Sequence, residues 1–115
     1  MRYGVIGSRT FLDYAGLCGV LDPQKKYITQ IISGGAKGAD FLGARWAKEN
    51  NKTLVEFLPN YALYGKKAPF IRNKLIVDSS DIIIAFWNGQ SRGTAHALNY
   101  AKAQGIKSIV YSFLT

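Results

Sequence analysis

One stretch near the C-terminus restricts the fold of this chain more than any other. Residues 82–86 are all apolar, and the run is bounded by Asp81 on one side and by Trp87 and a glycine loop on the other. A strand without polar alternation is typical of a parallel sheet that is covered on both faces. The sequence therefore predicts an α/β fold with helices on both sides of the sheet.

The rest of the chain alternates strand and helix patterns. Strands are expected over residues 2–6, 27–33, 53–58, 81–87 and 107–113. Four helices are expected. The first begins at a capping box formed by Thr10 and Asp13, and the second begins near Asp40. The third has Pro69 in its first turn, and the fourth is capped by Thr94. Residues 59–68 read as an irregular segment. This pattern predicts a single three-layer α/β domain over residues 1–115 with a mainly parallel five-stranded sheet.

Composition narrows the function classes. Cys18 and His96 are the only residues of their types, so neither a disulfide framework nor a Cys- or His-rich metal site is expected, and no cofactor is predicted. No apolar run approaches the roughly 18 residues of a membrane span, and the N-terminus lacks a signal-peptide layout, so we expect a cytoplasmic protein and no membrane partner. The net charge of +8 fits either simple solubility or an anionic partner.

Two glycine loops each follow a predicted strand and precede a predicted helix. The first begins at Ser33 and the second at Asn88. Ligands bind outside the carboxyl ends of parallel strands, and the first turn of a helix attracts anions. The first loop lacks the Lys-Ser/Thr pair of a P-loop, and Ser33 replaces the first glycine of a dinucleotide fingerprint. Together the two loops predict a phosphate site, whereas either one alone could be a structural turn.

Basic side chains beside these loops are the candidate phosphate ligands. Arg9, Arg72 and Arg92 can each grip phosphate in a forked geometry, although for each one a solvated surface position is the alternative. We expect phosphates on both helix N-termini, held by Lys37, Arg72 and Arg92. On this interpretation, Arg72→Ala weakens binding without unfolding the protein.

Other side chains have two readings. Trp87 is either core or a stacking platform for a base, and Tyr61 and Tyr64 share that ambiguity. His96 is either structural or an acid/base. Asp40 either caps its helix or contacts a ribose hydroxyl. Catalytic triads and paired carboxylates are absent from the pattern, which argues against an enzyme that needs a carboxylate base.

Several motifs together resemble a known family. The chain is similar to the YspA-type branch of the SLOG superfamily in VIGSR (5–9), ISGGAKGAD (32–40), YGK (64–66), RN (72–73) and AFWNGQSRGTAH (85–96). The resemblance implies a Rossmann-like domain that binds nucleotides or nucleotide-derived ligands. Relatives in the superfamily include Lonely Guy phosphoribohydrolases, the DNA-processing protein A family, and antiphage sensors of cyclic ADP-ribose-type signals.

The resemblance also assigns residues. It implies that both glycine loops line the ligand site, and Arg72 resembles the arginine that Lonely Guy enzymes use in catalysis. Those enzymes carry a glutamate just after their glycine-threonine pair, where this chain has Ala95, His96 and Ala97. That departure favours binding, or a different chemistry that uses His96.

The expected function is binding of an ADP-ribose-like or cyclic nucleotide signal, by a sensor or a sequestering protein in antiphage or counter-defence signalling. An N-glycosidic hydrolase using Arg72 and His96 is one alternative, and a nucleic-acid binder is the other. A homo-oligomer is expected. The predicted binding residues are Gly7, Ser8, Arg9, Ser33, Gly34, Gly35, Ala36, Lys37, Asp40, Arg72, Asn73, Trp87, Ser91, Arg92, Gly93, Thr94 and His96.

Overall fold

Five strands form one sheet in the computed structural model, which describes residues 1–114. They are β1 (Arg2–Gly7), β2 (Gln30–Ser33), β3 (Thr53–Glu56), β4 (Ile82–Trp87) and β5 (Lys107–Ser112). The order is β3-β2-β1-β4-β5, and each neighbouring pair is parallel. The predicted α/β class is confirmed, and the sheet is parallel throughout.

The connections between the strands are mostly helical. The helices are α1 (Tyr14–Leu21), α2 (Ala39–Glu49), α3 (Tyr61–Tyr64), α4 (Ala68–Asp78) and α5 (Arg92–Ala103), with 3₁₀ turns at Asp22–Tyr27 and Gly65–Lys67. Within residues 1–114, no helix is long and apolar enough to cross a membrane.

Two apolar clusters on opposite faces of the sheet explain the run in β4. Ile82, Ile84 and Phe86 pack into the cluster that contains α1 and α2 residues such as Leu17 and Trp46. Ile83 and Ala85 pack on the other face, in the cluster formed with α4 and α5. Since successive strand residues point to opposite faces, a strand covered on both sides must be apolar at every position.

The central position of β1 locates the ligand edge. Its neighbours are β2 on one side and β4 on the other. The chain passes from β1 to β2 and β3 in one direction and then returns past β1 to form β4 and β5, so a switch point lies between β1 and β4. At such a switch point the loops that follow the two strands diverge and leave a crevice at their carboxyl ends. That crevice lies beside the loops that start at Ser8 and Asn88.

Three local predictions were wrong. Helix α1 begins at Tyr14 and not at Thr10, because the Asp13 carboxylate accepts the Gly16 N–H at 2.9 Å and caps it. Helix α5 is capped by Ser91, one turn ahead of the predicted Thr94. Residues 61–67 are helical and not irregular, since the Asn60 side chain accepts the Leu63 N–H at 3.1 Å and starts a turn.

Candidate functional site

A cleft of about 370 Å³ opens at the carboxyl edge of the sheet, between β1 and β4. Its walls come from the loop after β1, from the start of α2, from α4, and from the loop that leads into α5. The lining residues are Ile6, Gly7, Ser8, Arg9, Thr10, Ala36, Asp40, Pro69, Arg72, Asn73, Asn88, Ser91, Gly93, Thr94 and Ala97.

The loop after β1 is fixed against the end of β4 and forms the floor of the cleft. The Ser8 N–H donates to the Phe86 carbonyl at 2.9 Å, and the Ser8 hydroxyl oxygen accepts the Asn88 N–H at 3.1 Å. Gly7 is required there, because a Cβ at this position would lie 2.1 Å from the Phe86 carbonyl oxygen. The floor therefore brings the polar backbone of two strand ends into contact.

The second glycine loop presents the N-terminus of α5 to the cleft. The Asn88 side chain accepts the N–H groups of Gln90 at 2.9 Å and Ser91 at 3.0 Å, and the Trp87 indole donates to the Ser91 carbonyl at 3.1 Å. These bonds hold the loop while Gly93 and Thr94 line the cleft. The Ser91 hydroxyl caps one first-turn N–H group, that of Thr94, at 3.5 Å. First-turn N–H groups have no partner inside a helix, and the helix dipole is positive at this end, so this wall suits an anion.

The first glycine loop is arranged differently, because oxygen atoms of Ser8 and Asp40 accept N–H groups from the first residue of α2 and from the loop. The Ala39 N–H donates to the Ser8 carbonyl at 3.3 Å, and the Ala36 N–H donates to the Asp40 carboxylate at 3.3 Å. A phosphate bound there would meet the negative charge of Asp40. The placement of phosphates on both helix N-termini stays a prediction, and the α5 N-terminus contributes Gly93 and Thr94 to the cleft lining.

Arg72 and Asn73 on α4 join the two glycine loops. Arg72 donates from Nη1 to the Gly34 carbonyl and from Nε to the Asn73 side-chain oxygen at 3.0 Å. Asn73 in turn donates to the Gly93 carbonyl at 3.1 Å. The chain of hydrogen bonds crosses the cleft wall from one loop to the other, so α4 fixes their separation.

Asp40 and Arg72 each affect the pKa of the other. Burial raises the pKa of Asp40 from 3.8 to about 6, against the opposing effects of the Ala36 N–H and of the Arg72 charge. Burial also lowers the pKa of Arg72, and the nearby Asp40 charge acts in the other direction. A carboxyl with such a pKa can donate or accept a proton near neutral pH, and Asp40 lines the cleft.

The structure brings together a large part of the predicted site. The predicted residues that line the cleft are Gly7, Ser8, Arg9, Ala36, Asp40, Arg72, Asn73, Ser91, Gly93 and Thr94. Gly34, Gly35 and Lys37 line an adjoining cavity. Thr10 and Asn88 also line the cleft and were not predicted, although the position of Asn88 directly after the buried strand is a signal that could have found it.

Four predicted residues line neither cavity. The Ser33 hydroxyl is buried beneath the loop and donates to the Asp40 carbonyl at 3.2 Å. Trp87 uses its indole to hold the Ser91 carbonyl, and Arg92 is exposed. The His96 ring packs edge-on against Phe70 at 4.8 Å between centroids, so it sits against α4. Ser33 and Trp87 bond to backbone carbonyls of Asp40 and Ser91, and His96 is absent from the lining of both cavities.

Among residues 1–114, no group of three or more His, Cys, Asp or Glu side chains is arranged to hold a metal ion. The chemistry available in the cleft is therefore that of hydroxyls, amides, two arginines, one carboxyl and a helix N-terminus.

A parallel sheet of this order, with a polar cleft at its switch point, defines a Rossmann-like ligand-binding domain. The chain belongs to the YspA, cpYpsA-related SLOG family, whose model matches residues 4–64. This confirms the resemblance that the glycine-loop motifs indicated.

Two individual proteins are similar to the chain. The Gene 61 protein of Mycobacterium phage D29 is 30% identical over 117 residues, and the match covers 94% of both chains. The solved structure of DNA processing protein A from Helicobacter pylori superposes with a TM-score of 0.76 at 17% identity, over 96% of this chain. The match spans 64% of that longer chain, and it shows a shared fold.

Proposed function

We propose that this protein binds a nucleotide or nucleotide-derived ligand in the cleft and acts as a sensor or a sequestering protein. The observation that carries this proposal is that the first turn of α5 lines the same cavity as Arg72 and Ser8. Backbone N–H groups and a guanidinium are the donors that recognise phosphate. Membership of the SLOG family supports the same class of ligand.

Affinity requires several of these contacts at once. An anion at an exposed helix N-terminus gains about 0.3–1 kcal/mol, and up to ~2 when it is partly buried. Micromolar binding requires about 8 kcal/mol. Arg9 and Arg72 therefore have to contribute, and the apolar side chains of Ile6, Pro69 and Ala97 supply surface for a base or sugar. The cleft volume of about 370 Å³ lies within the usual ~300–1,000 Å³ of small-molecule sites.

A first experiment identifies the ligand. The purified protein is denatured, and the released small molecules are analysed by mass spectrometry. We expect an intact nucleotide derivative at a stoichiometry near one per site. Where nothing is released, titration with nucleoside monophosphates, diphosphates and ADP-ribose decides the proposal, and a complete lack of binding contradicts it.

A matched pair of variants tests the α5 wall. A Cβ at Gly93 would meet no atom within 4 Å, so Gly93→Asp and Gly93→Asn both fit. The two side chains are similar in size, yet only aspartate places a negative charge at the helix N-terminus. We expect Gly93→Asp to bind phosphate ligands at least about tenfold more weakly than Gly93→Asn, since like charges repel. Equal affinities would remove the α5 N-terminus from the site.

A nucleic acid is the second candidate ligand. The net charge of +8 and the exposed side chains of Tyr61, Tyr64, Lys66 and Lys67 favour it, because aromatic and basic groups together bind single strands. DNA processing protein A from Helicobacter pylori, which shares this fold, binds single-stranded DNA. Fluorescence anisotropy with a labelled oligonucleotide should then show affinity that falls steeply between 50 and 200 mM salt, about 10³-fold or more for six phosphate contacts. No binding at low salt would exclude this candidate.

Asp40 favours a third candidate, hydrolysis of an N-glycosidic bond, because an acid of suitable pKa lines the cleft. The test is incubation with a panel of nucleoside monophosphates and chromatography of the free base. Release that is lost in Asp40→Asn would support the enzyme, whereas no release from any member of the panel would leave binding as the function.

A further inference from the structure

A second cavity adjoins the cleft and shares a wall with it. This second compartment has a volume of about 290 Å³ and is lined by Gly34, Gly35, Lys37, Pro59 and Tyr61. Arg9, Ala36 and Arg72 line both cavities. The boundary between the compartments is therefore formed by two arginines and one small side chain.

The boundary carries an excess of positive charge, because Arg9 and Arg72 line it and Asp40, on the cleft side, is the one carboxyl in the two linings. Arg9 and Arg72 both line the shared wall, which places their two positive charges at one boundary. Burial lowers the pKa of Arg72, and the Arg9 charge acts in the same direction. Within residues 1–114 the ion pairs are Arg2–Asp81 and Arg45–Glu49, so neither Arg9 nor Lys37 has a carboxylate partner. The lining of the second compartment contains no acidic side chain. An anionic group between Arg9 and Arg72 would relieve their repulsion.

Tyr61 gives the second compartment the means to bind more than a phosphate. Its side chain is 56% exposed and stands in the wall of a concave, basic pocket. Every nucleobase has a flat face that stacks on an aromatic ring. In addition to the two shared arginines, the second compartment therefore contains the aromatic ring of Tyr61 and the ammonium group of Lys37. These two groups fit a second nucleoside.

We propose that the ligand is a dinucleotide, in which two nucleosides joined through phosphate occupy one compartment each. The linking phosphate lies at the wall of Arg9 and Arg72. One nucleoside lies in the cleft beside α5, and the other contacts Tyr61 and Lys37. This inference rests on the proposed nucleotide-binding function and specifies the class of ligand.

The test compares four probes by calorimetric titration, each with the four common bases in turn. They are a nucleoside monophosphate, a nucleoside diphosphate, a pyrophosphate-linked dinucleotide and a phosphodiester-linked dinucleotide. We expect one dinucleotide to bind at least about tenfold more tightly than the monophosphate. The diphosphate separates the effect of added charge from that of a second nucleoside, and the two dinucleotides separate the two linkages.

Variants assign the second compartment. Tyr61→Ala and Lys37→Ala should each weaken dinucleotide binding about five- to tenfold and leave monophosphate binding unchanged. Tyr27→Ala is the control for the first, because Tyr27 is 54% exposed and lies outside both cavities. Lys102→Ala, at the far end of α5, is the control for the second.

The outcomes separate this inference from the proposed function. Equal binding of monophosphate and dinucleotides, or an equal loss for both probes in Tyr61→Ala, would overturn the dinucleotide assignment and leave nucleotide binding intact. Wild-type protein that binds none of the probes would overturn both.

Discussion

Arg72 combines a structural role with the proposed binding role in one side chain. It bridges the Gly34 carbonyl and the Asn73 side chain, and its charge opposes that of the buried Asp40. The sequence indicated a binding residue that could be removed without unfolding the protein. The structure instead shows a half-buried cation whose loss leaves the Gly34 carbonyl without its partner and removes a positive charge near Asp40.

Arg72→Ala should therefore reduce stability as well as affinity. We expect a loss of about 1–3 kcal/mol in the free energy of unfolding at pH 7.5, because buried polar groups lose their partner. The loss should be smaller at pH 5, where Asp40 is protonated. Urea denaturation at both pH values measures it. Arg45→Ala, which removes an exposed i,i+4 pair and a contact with the Tyr14 ring, should cost clearly less than Arg72→Ala. An Arg72 variant as stable as wild type would contradict the bridging role.

Asp40 should make stability depend on pH. Its pKa in the folded protein is raised from 3.8 to about 6, so the folded state binds the proton more tightly than the unfolded state. Below about pH 4 the carboxyl is protonated in both states and costs no stability. As the pH rises through 6, the free energy of unfolding falls by up to about 3 kcal/mol. Denaturation curves of Asp40→Asn should lack this fall.

Asp78→Asn serves as the control for this measurement, since Asp78 is exposed and bonds to the Tyr100 hydroxyl. It should keep the pH dependence of the wild type. A fall of the same size in Asp40→Asn would assign the dependence to other groups.

At the scale of elements, the two glycine loops have different roles. The first loop is closed over the start of α2 by Ser8 and Asp40, and it holds the fold together. The second loop is held by Asn88 and Trp87 from the side, so the start of α5 faces the cleft. Helix α4 spaces the loops through Arg72 and Asn73.

One glycine from each loop tests this difference. Gly38 and Gly89 both have positive φ, at 78° and 81°, but only Gly38 is crowded, since a Cβ there would lie 2.3 Å from the Ser8 carbonyl oxygen. Gly89→Ala should cost about 1–2 kcal/mol from backbone strain alone. Gly38→Ala should cost clearly more, about 3 kcal/mol or above, because the loop must also move. Thermal unfolding of both variants measures the difference, and equal costs would contradict the closed first loop.

At the scale of the whole molecule, the expected homo-oligomer stays a prediction. Large apolar side chains are exposed on several surfaces, with Leu12 80%, Leu58 68%, Leu63 66% and Phe41 64% accessible. Exposed apolar area of this kind often marks an interface. Sedimentation velocity over a range of concentrations should show a species heavier than the 12.7 kDa chain. A 12.7 kDa species at every concentration would contradict the prediction.

The sequence alone determined the features that depend on local physics. The apolar run of β4, the strand and helix alternation, Pro69 in the first turn of α4, and Gly105 after α5 at a φ of 73° all follow from side-chain period and backbone sterics. These signals act within a few residues. They were enough to predict the fold class, the carboxyl edge of the sheet, and the two loops that flank the cleft.

Only the tertiary structure decided which side chains meet in the site. Arg72 reaches Gly34 across 38 positions of the chain, and this contact places a charge beside the buried Asp40. Trp87 and His96 carry suitable chemistry, yet packing directs one to the Ser91 carbonyl and the other to Phe70. The direction of such side chains depends on the neighbours that the folded chain brings to them, and no local pattern encodes those neighbours. For the same reason, the different bonding of the two helix N-termini became visible only in the folded molecule.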